Sequence, residues 1–183
     1  MKFDIVILNE SGYEEACLGI SLSYNSTIER SREVAIKLAN KDGGHNKFLE
    51  SIYVWLYITA ARYWWQQFDT YRLATKQSGS TMHTIMKRDL TTDDFEVNPV
   101  TNEEIDKDTL DKLNLFRNNN NFEALKQYLP ESYLQDRVVC INYKSLRNIM
   151  LQRHDHKLAE WKIFCNTILG IVQHPELLPN TWK

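Results

Sequence analysis

Cysteine is scarce in this chain of 183 residues, and its spacing is irregular. The three cysteines are Cys17, Cys140 and Cys165, and no pair has the short spacing of a zinc site or a redox motif. Free cysteine is among the most commonly buried residue types, so we expect ordinary buried thiols. His154 and His156 flank Asp155, but in a link between helices this pattern is more typical of a solvated turn. We therefore predict no metal site.

Long apolar runs, a signal peptide and an excess of one charge are also missing. No run approaches the roughly 18 apolar residues of a membrane span, and the start MKFDIVIL has no positive region or cleavage site. The 22 basic and 24 acidic side chains give a formal charge of -2, which disfavours general nucleic-acid binding. We expect a soluble, intracellular, cytoplasmic protein without membrane partners.

The familiar catalytic and phosphate-binding fingerprints are absent too. The chain has neither the glycine-rich Rossmann or P-loop pattern nor an evident Ser-His-Asp or Cys-His arrangement. His45 follows Gly43-Gly44 and could cap or anchor a neighbouring strand, but a lone histidine does not indicate catalysis. Function must therefore be sought in less regular features.

The chain does hold enough apolar residues for one compact domain over residues 1–183, since 43% of it is hydrophobic. Apolar runs predict strands at residues 4–8, 51–59 and 137–142. The middle run, SIYVWLYIT, has no polar alternation, so we predict a strand that is buried on both faces.

Helical spacing recurs between these strands. The stretch AARYWWQQFDTYR predicts a helix that packs through Ala61, Trp64, Trp65 and Phe68. Further helices are predicted within residues 13–40, in DTLDKLNLF, in FEALKQYL, at 144–153 and at 157–172. Residues 87–109 carry eight acidic side chains around the turn signals Asn98-Pro99 and Thr101-Asn102, so we predict a solvated excursion.

Two features are candidates for ligand binding. In KSLRNIMLQR the apolar stripe Leu146, Ile149 and Met150 continues on the same face with Arg153. Burying a guanidinium without an anion costs several kcal/mol, so Arg153 should either pair with a carboxylate or bind an anionic ligand. The hydroxyl-rich loop at residues 70–83 could donate hydrogen bonds to phosphate, or it could be a plain connector.

The order of several motifs resembles the flavin-dependent thymidylate synthases of the ThyX type. GGHNKFLES precedes SIYVWLYIT, ARYWWQQF follows, and TYRLATKQSGSTMH stands where the family carries RHRxxSxNExSxRY. Near the C-terminus, NYKSLRNIMLQRHDHKLAEWKI is similar to NARSLxNFLxLRxxxxAQWEI. The resemblance runs from about residue 5 to residue 179, and it implies an α+β fold with a central, mostly antiparallel sheet flanked by helices.

The same resemblance implies reductive methylation of deoxyuridylate (dUMP). In that reaction FAD carries the hydride, NADPH reduces the flavin, and methylenetetrahydrofolate donates the carbon. The family uses no cysteine nucleophile, which agrees with the lack of a catalytic thiol here. It also implies a small-molecule nucleotide as partner and a homotetramer with active sites shared between subunits.

Site residues can be carried over at positions that align with the family motif, where Lys144 and Lys126 stand in place of arginines. Arg153 would polarise the uracil ring, and Ser80 would be the second catalytic residue. The residues implied to bind the flavin are Arg72, Thr75, Asn142, Lys144 and Asn148, and those implied to bind the nucleotide are Gln67, Ser80, Lys126 and Arg153.

The signature also departs from the family, chiefly at charged positions. Thr70 and Tyr71 replace an arginine and a histidine that hold the flavin diphosphate, and Met82 replaces an arginine that grips the substrate phosphate. Other replacements are Gln77, Ser78 and Ser51, and the nearby cations that could compensate are Lys76, Arg72 and Arg88. Two alternatives follow: a non-catalytic protein that binds a nucleotide or a protein partner on this scaffold, and a flavoenzyme that acts on another pyrimidine nucleotide.

Overall fold

The computed structural model describes residues 1–98 and 100–180, so Pro99 of the predicted turn lies outside the described residues. The chain divides into two compact units. Unit 1 comprises Met1–Asp4, Ile58–Thr70 and Gln77–Arg137, and unit 2 comprises Ile5–Tyr57, Tyr71–Lys76 and Val138–Lys183. Organisation as one domain stays a prediction.

Four strands form one antiparallel sheet in the order β1-β2-β4-β3. Their bounds are Asp4–Ser11 for β1, Tyr53–Ala61 for β2, Ala74–Ser78 for β3 and Leu134–Asn142 for β4. Strands β1, β2 and β4 confirm the three predicted strands. Strand β3 was not predicted, because residues 70–83 were interpreted as a loop. It lies at the end of the strand order, where one-sided pairing tolerates a short strand that is mostly polar.

Burial along β2 corrects the prediction of a strand covered on both faces. Val54, Leu56 and Ile58 have no exposed surface, whereas Tyr53 and Tyr57 are 39% and 37% exposed. The side chains therefore alternate in burial with the period of two that a strand imposes. Composition concealed this alternation, because the aromatic residues on the outer face are as apolar as the aliphatic residues on the inner face.

Eight α-helices occur within the described residues. They are α1 Tyr13–Tyr24, α2 Ile28–Ala39, α3 Arg62–Phe68, α4 Thr81–Thr84, α5 Lys107–Asn118, α6 Phe122–Tyr128, α7 Tyr143–Arg153 and α8 Ala159–Ile171. The predicted helical region at residues 13–40 is interrupted at Asn25, whose φ of 48° lies in the left-handed region. Thr27 then caps α2, because its hydroxyl oxygen accepts a hydrogen bond from the Arg30 amide at 3.3 Å.

Helix α3 anchors the core of unit 1. Trp64, Trp65 and Phe68 are fully buried, as their helical spacing predicted. The Trp65 indole donates a hydrogen bond to the Gln135 carbonyl at 3.0 Å, and the Arg137 guanidinium lies 4.3 Å from the centre of the Trp65 ring. A polar group thus satisfies the Trp65 ring nitrogen inside an otherwise apolar cluster.

The segment at residues 87–109 was predicted to be a solvated excursion, but part of it is buried. Leu90 and Phe95 are buried in an apolar cluster with Ile85, Leu113, Leu125 and Leu129. Glu96 is also buried, and its Oε1 accepts hydrogen bonds from the Lys2 amide at 2.7 Å and the Val97 amide at 2.9 Å. The sequence analysis missed these buried residues because most of their neighbours in the segment are exposed acidic side chains.

Two of the three cysteines behave as expected. Cys17 and Cys165 are buried, and Cys140 is half-buried. Burial raises the pKa of Cys165 to about 11, so this thiol is a poor nucleophile at neutral pH. Among the described residues, no helix combines the length and apolar character needed to cross a membrane.

Candidate functional site

Helix α7 in unit 2 carries the most distinctive of the predicted site residues. The Asn142 side chain caps its first turn by accepting a hydrogen bond from the Ser145 amide at 2.8 Å. Leu146, Ile149 and Met150 are fully buried, which confirms the predicted apolar stripe. Arg153 continues that stripe at the last turn and is half-buried.

Aromatic rings flank the Arg153 guanidinium. Its Nε donates a hydrogen bond to the Tyr71 hydroxyl at 2.7 Å. Its central carbon lies 5.1 Å from the ring centre of Trp161 and 5.4 Å from that of Tyr71. Trp161 is fully buried, so one side of the cation is shielded from water. This arrangement holds a positive charge that is partly shielded from water, which suits recognition of an anionic or polarisable ring.

His156 extends this aromatic cluster. Its Nδ1 accepts a hydrogen bond from the Leu158 amide at 3.1 Å, so the neutral ring carries its proton on Nε2. Burial lowers the pKa of His156, and the charges of Arg153 and Lys157 lower it further, whereas Glu160 acts in the opposite direction. The predicted solvated turn holds for the exposed Asp155, but both flanking histidines are half-buried.

The five residues predicted to bind the flavin lie on two segments of unit 2. Asn142, Lys144 and Asn148 belong to the start and middle of α7, and Arg72 and Thr75 belong to residues 71–76. Arg72, Thr75 and Asn148 are exposed. Lys144 already has a partner, because its ammonium donates to the side-chain oxygen of the buried Asn46.

Arg147 on α7 was missed by the sequence analysis. Its Nε is buried and has no hydrogen-bond partner within the described residues. An unsatisfied buried donor costs about 1–3 kcal/mol of stability. No spacing signal marked this residue, because it lies one position before Asn148, outside the apolar stripe.

In unit 1 the structure brings Lys126 to the start of α4. The Lys126 ammonium donates a hydrogen bond to the Thr81 hydroxyl at 2.6 Å. Ser80 precedes Thr81 and is half-buried, and its carbonyl accepts hydrogen bonds from the amides of His83 at 3.2 Å and Thr84 at 3.1 Å. Two predicted nucleotide-binding residues, Ser80 and Lys126, therefore lie in one neighbourhood.

Lys126 is a half-buried cation without an acidic partner in the described part of the chain. Burial lowers its pKa, and the positive charge of Arg62 lowers it further. Arg62 itself donates to the Leu129 carbonyl at 3.1 Å and lies 3.4 Å from a carboxylate oxygen of Glu131. Glu131 pairs with Arg62, so Lys126 is the cation of this pair that could accept an anionic ligand as its counter-charge.

Other predicted or suggested residues are less favourably placed. Gln67 lies half-buried at the end of α3, where its carbonyl accepts a hydrogen bond from the Thr70 hydroxyl at 2.8 Å. Arg88, one of the suggested substitutes for a lost phosphate contact, is paired with Asp94. Lys76 donates to the Tyr71 carbonyl at 3.0 Å.

A cavity of about 700 Å³ lies elsewhere in unit 2, between α1 and residues 43–51. Its polar lining includes Glu15, His45 and Lys47, and Tyr24 and Phe48 contribute aromatic surface. Of the described residues, none of those predicted for the flavin or nucleotide lines this cavity.

Comparison with known proteins gives a consistent result. The sequence profile of the family described as thymidylate synthase complementing protein matches residues 10–175. The fold is similar to that of a flavin-dependent thymidylate synthase, ThyX from Helicobacter pylori, crystallised with FAD and dUMP: the TM-score is 0.84 at 19% identity, over 98% of this chain and 100% of that chain. A second ThyX structure from that organism, also with FAD and dUMP, gives 0.79 at 19% identity over 94% of each chain. No curated protein matches the chain. The predicted α+β fold is thus confirmed.

Proposed function

Because the chain belongs to the thymidylate synthase complementing protein family, we propose that it is a flavin-dependent thymidylate synthase that binds FAD and dUMP. The observation that carries this proposal is the Arg153 guanidinium, held by the Tyr71 hydroxyl at 2.7 Å beside the buried Trp161 ring. A cation that is shielded from water on one side interacts more strongly with charge developing on a bound ring than an exposed cation would. Arg153 would therefore polarise the uracil of dUMP and stabilise the negative charge that forms on it.

Lys126 would hold the phosphate of dUMP. Lys126 is half-buried and bonds only the neutral Thr81 hydroxyl among the described residues, so an approaching dianion would supply its missing counter-charge. Ser80 and Gln67 would orient the nucleotide through hydrogen bonds. Met82 is 62% exposed and contributes no charge, so Lys126 would carry more of the phosphate interaction than it would beside an arginine at position 82.

The donor chemistry of unit 2 fits FAD. Arg72 and Thr75 are exposed and could donate to a diphosphate, while Asn142 and Asn148 could hold the flavin ring system through their amides. Lys144 would contribute charge from its position beside Asn46. When bound, FAD would supply the hydride that it receives from NADPH, and methylenetetrahydrofolate would supply the one-carbon unit.

We also propose that the protein assembles as a homotetramer in the cytoplasm, where dUMP and reduced folates are found. The neighbouring strands β1 and β2 leave large apolar side chains exposed: Val6 at 48%, Leu8 at 54%, Tyr53 at 39% and Tyr57 at 37%. A patch of this kind on a folded chain is typical of an interaction surface. A second copy of the chain is the occupant that the family resemblance suggests.

One observation favours a second candidate, a flavoenzyme that acts on another pyrimidine nucleotide. Ser78 stands where the resembled motif has glutamate, Met82 stands where it has an arginine that grips the substrate phosphate, and both side chains are exposed. Neither side chain could reproduce a carboxylate or guanidinium contact to dUMP. Activity assays on other uridine and cytidine monophosphates would separate this candidate from the synthase.

The test uses the purified full-length protein and an Arg153→Gln variant. We expect wild-type protein to bind FAD with a flavin absorption band, and to release tritium from [5-³H]dUMP when NADPH and methylenetetrahydrofolate are present. Arg153→Gln should keep the flavin band and lose most tritium release, because the amide cannot supply positive charge. Protein that takes up no FAD would refute both enzyme candidates, and bound flavin without tritium release would leave only the second.

A further inference from the structure

The Tyr71 hydroxyl is hydrogen-bonded to the Arg153 guanidinium. Its hydroxyl oxygen accepts from Arg153 Nε at 2.7 Å, and the same hydroxyl donates to Gln152 Oε1 at 3.1 Å. The hydroxyl proton is thereby committed to Gln152, so the oxygen lone pairs are directed at the arginine. The three side chains form one directed chain of hydrogen bonds.

Tyr71 is itself held at both its backbone and its ring. The Lys76 ammonium donates to the Tyr71 carbonyl at 3.0 Å, across the turn that leads into β3. Its ring meets the buried Trp161 ring edge-on, with 6.3 Å between the ring centres. A donor or acceptor fixed in this way can impose its own geometry on a flexible neighbour.

We propose that Tyr71 is a positioning residue for Arg153: its hydroxyl fixes the plane of the guanidinium toward the nucleotide ring. The inference rests on the proposed function, because it takes dUMP as the ligand that Arg153 addresses. Arginine has a long side chain that loses much rotational freedom when it is ordered. Because Tyr71 holds Nε before the ligand binds, the entropy of ordering the arginine is lost on folding and not on binding. More of the interaction energy between Arg153 and the nucleotide then appears as affinity.

This role is specific to the tyrosine of this chain. In the resembled signature the position is a histidine, and the resemblance assigns that histidine to the flavin. Here the phenol reaches the last turn of α7, and its hydrogen bonds are made to Arg153 and Gln152. We therefore expect changes at Tyr71 to affect the nucleotide more than the flavin.

The test compares Tyr71→Phe, which removes only the hydroxyl, with the wild type and with Tyr128→Phe. Tyr128 is a matched control, because its hydroxyl makes no hydrogen bond within the described residues and its ring would be retained. Hydrogen bonds to charged groups suggest a loss of about tenfold or more in dUMP affinity for Tyr71→Phe. FAD affinity should change less than about twofold, and Tyr128→Phe should resemble the wild type.

A double-mutant cycle distinguishes positioning from packing. Arg153→Met has no donor from which the Tyr71 hydroxyl could accept a hydrogen bond, so Tyr71→Phe should have no further effect on dUMP affinity in that background. A cycle on the urea midpoint of the ligand-free protein should show the same coupling, and it needs no bound nucleotide. Independent, additive losses in affinity, or unchanged affinity in Tyr71→Phe, would overturn the positioning role alone. Failure of wild-type protein to bind dUMP would overturn the proposed function and this inference together, while the urea cycle would still report the contact.

Discussion

Replacing Lys126 with methionine should have opposite effects on folding and on nucleotide binding. Burial and the nearby Arg62 lower the pKa of Lys126 in the folded protein. A base with a lowered folded pKa binds its proton less tightly when folded than when unfolded. Its charge therefore destabilises the fold at neutral pH; this penalty begins to fall as pH rises through the folded pKa and is gone above the unfolded pKa.

The magnitudes separate the two effects. Lys126 is only half-buried, so solvent screening limits the folding penalty to below about 1 kcal/mol, or a melting shift of at most about 4 °C for a chain of this size. Methionine also gives up the 2.6 Å bond to Thr81, which offsets part of the gain. A charge-assisted contact to phosphate is worth about 1.5–3 kcal/mol, so dUMP should bind about 10- to 100-fold more weakly.

Calorimetric titration with dUMP and thermal unfolding, both at pH 7.5 and fixed ionic strength, measure the two quantities. Lys107→Met is the matched control, since Lys107 is exposed at the start of α5 and its loss changes net charge equally. We expect the control to bind dUMP within about twofold of the wild type. A Lys126→Met protein that melts more than about 4 °C lower and binds dUMP normally would refute the reasoning, because the lysine would then be structural.

Two further predictions concern stability. Gly12 has a φ of 96°, and a Cβ there would collide with the Ser51 carbonyl oxygen. Gly12→Ala should therefore lower the unfolding free energy by about 2 kcal/mol or more in urea titrations. The control Gly19→Ala, in open space within α1, should be neutral or stabilising, and equal stabilities of the two variants would contradict this prediction. Burial acts to raise the pKa of Asp94, but Arg88 and neighbouring donors outweigh it and lower the pKa overall. Stability from this carboxyl is therefore present above about pH 4 and is lost as pH falls through the lowered value, so Asp94→Asn should flatten the acid limb of a stability–pH curve; an unchanged slope would argue against it.

Much of the fold could be predicted because its strongest signals are local. The stripe of Leu146, Ile149 and Met150 repeats at helical spacing, and α7 buries that face. The same rule failed where burial depends on distant partners. Leu90 and Phe95 sit among acidic residues in the sequence, and only packing against α5 and α6 makes them core residues. Strand β3 is polar and short, so its pairing rather than its composition defines it.

The candidate site divides in the same way. Arg153 could be singled out from spacing alone, because a cation continued an apolar stripe. Its partner Tyr71 lies 82 residues away in sequence, and Lys126 lies 45 residues from Thr81, so no local pattern could pair them. Arg62 was interpreted only as part of a packing helix. Its contact with Leu129 and its effect on Lys126 arise from the tertiary fold.

Helix α7 fixes the distance between the proposed flavin contact and the proposed uracil contact. Asn142 is its N-cap and Arg153 is its last residue. At about 1.5 Å of rise per residue, roughly 16 Å of continuous helix therefore separates the first proposed flavin contact from the uracil contact. Such a rod transmits a tilt at one end to the other. A substitution in its buried stripe would therefore alter cofactor and nucleotide geometry together, and selection on either ligand would constrain the same eleven-residue span.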